Sequence, residues 1–188
     1  LSRSSSVNNK SVVRLLSLIL LFVALIMVLP LFLSLHYGEK DALRSFLWTI
    51  SLMCGTSVLG LIATSWGNRE IKIGPKESYL IVTLAWVLFS AFGALPFYFS
   101  EVLPSYADCF FETMSGFTTT GATALDNIEA VDKSLLFWRN MTNWLGGMGV
   151  VVLFVAVLPA FGVKGTALVG AESVGPTKDK LTPHIRHT

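Results

Sequence analysis

Charge is what this 188-residue chain has least of: Asp, Glu, Lys and Arg make up 14% of it, against about 25% in an ordinary soluble domain. With 53% hydrophobic residues and a mean hydropathy of +0.64, the composition excludes a water-soluble domain. Cysteine is scarce as well. Cys54 and Cys109 lie far apart and read as two reduced, buried small hydrophobes, not as a disulfide or a metal pair. The three histidines, His36, His184 and His187, fall outside the long apolar runs, and no His/Cys/Asp/Glu group has metal-ligand spacing. An intramembrane serine protease using Ser115-Gly116 would need a base within hydrogen-bond reach, yet no apolar run contains a histidine or lysine. Neither a Gly-x-Gly-x-x-Gly nor a Walker pattern is present. The chain is therefore expected to be no enzyme, to carry no cofactor and to bind no nucleic acid.

Long apolar runs are present in their place. Val13–Leu35, Phe46–Trp66, Tyr79–Phe99 and Leu135–Leu158 each approach or exceed the roughly 20 residues that cross a hydrocarbon core about 30 Å thick. This predicts an all-α integral membrane protein in the lipid bilayer. The first run follows Arg3, Lys10 and Arg14, as a signal peptide would, but it is too long for a typical signal core and no small-residue cleavage site follows it. The chain starts with Leu, and its true N-terminus is expected to lie further upstream.

Charge asymmetry orients the spans. With the N-terminus in the cytoplasm, ten of the 14 basic residues lie inside, and Lys40, Arg44, Lys133 and Arg139 lie outside. Eight of the 12 acids then face outward or sit in the outer half: Glu39, Asp41, Glu101, Asp108, Glu112, Asp126, Glu129 and Asp132. Such a set is either an anionic vestibule that concentrates cations by field focusing or an ordinary solvated loop region.

Between the third and fourth runs lies Ser115-Gly-Phe-Thr-Thr-Thr-Gly-Ala-Thr123. Non-helical backbone in hydrocarbon leaves N–H and C=O groups unsatisfied unless it is buried in protein or lines a wet pathway. Three consecutive threonines with a glycine hinge offer oxygens without counter-charge, which suits a dehydrated monovalent cation. Upstream, Ser105 with Asp108 three residues later fits a helix-opening cap, and Gly116 is a natural stop. The helix between them is too short to span. It is expected to dip in from outside and point its negative dipole end into the membrane. Backbone carbonyls of Thr119, Thr120 and Gly121 are the expected ion ligands, with Ala122 and Thr123 at the outer mouth. Gly121 is expected to supply positive φ. The threonine hydroxyls, that of Thr118 among them, are expected to brace neighbouring backbone or to supply extra oxygens. Glu112 either braces the filter or faces the vestibule. Arg139 is either an interfacial anchor or a partner for the outer acids. Gly146, Gly147 and Gly149 suggest close backbone contact, with the half-helix and filter as the expected neighbour, although a generic small-residue helix contact would look the same.

Asp108-Cys-Phe-Phe-Glu-Thr-Met-Ser-Gly-Phe-Thr-Thr-Thr-Gly-Ala-Thr123 resembles the first pore loop of the Trk/Ktr/HKT superfamily of potassium transporters. Phe137-Trp-Arg139, Trp144-Leu-Gly-Gly-Met-Gly149, Leu158-Pro159 and Lys178-Asp-Lys-Leu-Thr-Pro183 resemble its bacterial TrkH branch. The resemblance implies a pseudo-tetrameric cation-channel fold. Residues 1–78 would be a leading helix pair, 79–160 the first helix–re-entrant pore loop–helix repeat, and 161–188 a cytoplasmic connector to a second repeat. It further implies potassium as the transported ion, a bacterial inner-membrane location, a homodimer and a cytoplasmic nucleotide-binding regulatory subunit of TrkA/KtrA type. One strand cannot surround an ion, so the remaining repeats of a longer polypeptide are expected to complete the pore. Physics alone also admits a secondary transporter whose broken helix binds substrate at mid-membrane.

Overall fold

The computed structural model describes residues 9–65 and 75–157, and the connector expected at 161–188 lies outside them. Seven helices follow one another: α1 (Asn9–Ile26), α2 (Val28–Tyr37), α3 (Lys40–Ser65), α4 (Pro75–Gly93), α5 (Leu95–Phe99), α6 (Tyr106–Phe117) and α7 (Lys133–Val157). A single 3₁₀ turn, Ile128–Ala130, precedes α7. There is no β-strand among the described residues.

Two prolines explain why seven helices make fewer spans. Pro30 has no N–H for the carbonyl four residues back, and the ladder breaks at Met27 between α1 and α2. Pro96 does the same at Ala94 between α4 and α5, so the helix runs on past Pro96 to Phe99. Taken through these breaks, Asn9–Tyr37, Lys40–Ser65 and Glu77–Phe99 are long and apolar enough to cross a membrane. They match the first three expected spans. The fourth falls on α7, whose 25 residues extend about 37 Å; its expected last residue, Leu158, lies outside the described part.

The first compact unit of the chain ends at Val152, and only Leu153–Val157, the last residues of α7, are described of the second. Within the first unit, α1 packs between α3 and α4. Leu20, Val23, Ala24 and Met27 meet Ala42, Phe46 and Met53 on one side, and Val12 and Leu16 meet Ile81 and Ala85 on the other. The buried stripe of α3 is made largely of small and hydroxylated residues: Ala42, Ser45, Thr49 and Ser57, interleaved with Phe46 and Met53. Ser45 and Thr49 donate to the Asp41 and Ser45 carbonyls of their own helix. A Cβ on Gly60 would collide with Ser17 of α1, so this glycine sets how closely the two helices approach. Gly55 and Thr56 of the same helix are exposed, and nothing lies within 4 Å of a Cβ on Gly55. The outward faces carry Phe22, Leu25, Phe32, Trp48, Leu59 and Ile62, which is the surface a lipid solvent favours.

Candidate functional site

The half-helix α6 starts at the expected cap. The Asp108 N–H donates to Ser105 Oγ at 3.2 Å, and the Ser105 hydroxyl donates in turn to the Asp108 carboxylate at 2.6 Å. At 12 residues, or about 18 Å, α6 is too short to span. It is seated on α4: Thr113 Oγ1 donates to the Ser90 carbonyl at 2.9 Å, and Phe117 stacks obliquely on Phe89. On the other side Trp138 of α7 meets Phe117 edge-on and donates its indole N–H to the Gly93 carbonyl at 3.0 Å. Gly93 lies in this junction because a Cβ there would press within 3.2 Å of Phe117.

The helix does not stop at Gly116. It continues to Phe117 and closes in a Schellman arrangement: Thr119 N–H donates to the Gly116 carbonyl at 2.9 Å and Thr120 N–H to the Ser115 carbonyl at 3.0 Å. The left-handed residue such a cap requires, usually glycine, is here Thr119, with φ of 57°. Gly116 has another purpose. A Cβ on it would strike Thr142 of α7. Gly121 does adopt the expected left-handed backbone, with φ of 76°.

Beyond the cap, residues 118–123 are exposed along their whole length, while Glu112, Ser115, Gly116 and Phe117 behind them are buried. Two tethers hold this strand to α6. Ser115 Oγ donates to the Ala122 carbonyl at 2.6 Å, turning that oxygen toward the half-helix. The Glu112 carboxylate, 2% exposed, accepts from the Thr123 hydroxyl at 3.0 and 3.1 Å and from the Ala124 N–H at 2.7 Å. Arg139 of α7 donates from Nε to the same carboxylate and balances its charge. Of the two sequence readings, Glu112 therefore braces the strand and does not face a vestibule, and Arg139 is its partner. On the exposed side, the Thr118 and Thr120 hydroxyls share a hydrogen bond at 2.8 Å.

The three glycines of α7 do different things. A Cβ on Gly146 would run into the Phe117 backbone carbonyl. One on Gly147 would only touch the Thr119 methyl at 3.9 Å, and one on Gly149 would meet Trp86 of α4 at 3.4 Å, away from the strand. Gly93 was not singled out in sequence, and Ser115 and Trp138 appeared there only as a protease nucleophile candidate and within the Phe137-Trp-Arg139 resemblance, not in these roles. Their signals, a lone serine, a lone glycine and an aromatic at the mouth of a span, are too common to point anywhere. Glu39 is a further case. From the α2–α3 loop it accepts from the Lys133 and Ser134 N–H groups at 2.9 and 3.1 Å and so caps α7.

A short half-helix and flanking membrane-length helices define a multi-pass membrane protein. The TrkH family, described as cation transport protein, matches residues 44–188, and the chain belongs to that family. Among its relatives is the Trk system potassium uptake protein TrkH of Halomonas elongata, 37% identical over 181 residues, which make up 95% of this chain and 37% of the relative. TrkH of Escherichia coli K12 is 39% identical over 185 residues, with the same coverage of both chains. Trk system potassium uptake protein TrkG of that strain is 35% identical over 167 residues, covering 88% of this chain and 34% of the relative. The chain thus spans little more than a third of the length of the relatives it matches.

Proposed function

We propose that this chain supplies one of four filter strands in a potassium uptake pathway across a bacterial inner membrane. The observation that carries the reading is the strand 118–123, exposed in front and tethered behind by Ser115 and Glu112. Carbonyl oxygens of Thr119, Thr120 and Gly121 take the place of the ion's hydration water, with Thr123 and Ala122 at the outer mouth. Glu112, Gly116, Thr118 and Gly146 keep the strand and half-helix in place, Gly147 faces the Thr119 methyl with room to spare, and Gly149 fits α7 against α4. That the relatives are named potassium uptake proteins supports potassium as the ion. Three further strands come from the remaining repeats of one polypeptide, the N-terminus is cytoplasmic, and the whole works as a homodimer gated by a TrkA/KtrA-type nucleotide-binding subunit.

Rubidium uptake with sodium as competitor, in cells lacking other potassium systems, tests this with the whole gene and its Gly121→Ser form. A Cβ at this position meets nothing within 4 Å in this chain, so within it the substitution acts by disfavouring the left-handed backbone, by about 1 kcal/mol. The peptide then turns its carbonyl away, and preference for rubidium over sodium is expected to fall. Unchanged uptake and unchanged preference would remove the strand from the ion path and favour a broken-helix carrier.

A further inference from the structure

Nothing in the proposed filter needs the leading helix pair, yet its outer loop is fastened to the pore module at one place. Gly38, left-handed with φ of 72°, ends α2 and turns the chain so that Glu39 follows at once. Both Glu39 carboxylate oxygens are used: Oε1 accepts from Lys133 N–H and Oε2 from Ser134 N–H. These are the first two N–H groups of α7, donors that a helix cannot satisfy itself. Tyr37, one residue before the glycine, adds a second tie, with the Lys133 ammonium 4.6 Å from its ring centroid. Leu135 and Trp138, both with no exposed surface, lock the same first turns into the core.

Arg139 lies five residues beyond Ser134 on this helix, about 7.5 Å along its axis. Its Nε reaches Glu112, and Glu112 holds Thr123 and Ala124. The outer end of the strand is thus connected, through one ion pair and one rigid helical turn and a half, to a carboxylate on the leading pair. We propose that Glu39 is a specificity-positioning residue: by fixing the start of α7 it sets where Arg139 meets Glu112, and hence the geometry of the filter's outer mouth. The inference rests on the filter reading above, and it gives the leading helix pair a part in ion discrimination.

The experiment is a double-mutant cycle on rubidium-over-sodium preference, using the whole gene with Glu39→Gln, Glu112→Gln and the pair, each normalised to the amount of protein in the membrane. Glu39→Gln keeps one acceptor oxygen and the side-chain volume, so it is gentle on folding. Glu39→Asp, one methylene shorter but still a carboxylate, is the conservative control. Preference is expected to fall by about tenfold in Glu39→Gln, the lower end of what losing an outer-shell partner costs a metal site. Recovery in Glu39→Asp and no further loss when Glu39→Gln is added to Glu112→Gln would confirm that the two act in series. Preference unchanged at reduced protein amount would make Glu39 a stability cap only and overturn the proposal. Independent, multiplying losses would overturn it too. If the unmutated protein shows no rubidium uptake at all, the filter reading fails and not merely this extension of it.

Discussion

Thr119 shows what one residue contributes to this site. A β-branched side chain in the left-handed region costs roughly 1–2 kcal/mol, and here it occupies the cap position that glycine normally takes. Thr119→Gly should therefore stabilise the protein by about 1 kcal/mol, seen as a higher melting temperature in detergent; an unchanged or lower value would mean that contacts of the threonine outweigh its backbone cost. The same residue marks a limit of sequence reading. Ser105 at the helix start and Gly121 at the hinge were legible because their roles follow from their own chemistry, a cap oxygen and a missing Cβ. The position of the stop was not, because a glycine three residues before the true cap looked like the better candidate. What decides is that Gly116 is taken up by Thr142, a contact 26 positions away that no local pattern announces.

Among the elements, α7 does most to fix the site. Its glycines looked equivalent in sequence, but only Gly146 lies against backbone, and backbone cannot swing aside as a side chain can. Gly146→Ala should force α7 away from the end of α6 and cost about 1–3 kcal/mol by overpacking, whereas Gly147→Ala, with only a methyl at 3.9 Å, should be neutral or slightly stabilising. Thermal unfolding of the two variants side by side checks this, and equal effects would contradict the close approach. The first three spans were legible, since length and hydropathy suffice for them. The breaks at Met27 and Ala94 follow from Pro30 and Pro96, and the chain stays helical beyond each proline.

At the scale of the whole molecule, the start of α3 and the start of α7 meet in a group of carboxylates, Glu39, Asp41 and Asp132. Burial, then Glu39 and then Asp41 push the Asp132 carboxyl above its ordinary value. Its neutral form therefore suits the fold better: the associated stability is complete below the ordinary carboxylate pKa and is lost as pH rises through the raised one. Asp132→Asn should flatten this dependence and raise the melting temperature at neutral pH, with the gain over the natural residue vanishing in acid. An equal shift at all pH values would show that the effect is not one of protonation. The Glu39 clasp has a consequence in time as well as in space. It joins residues 94 and 95 positions apart, and closing a loop of that length costs about 4 kcal/mol of chain entropy before the contact returns anything. Such a contact forms late, after the intervening helices are threaded and seated. Under the proposal above, the mouth of the strand is then among the last features to settle during biogenesis, and a chain whose first two helices are misplaced lacks the contact that positions it.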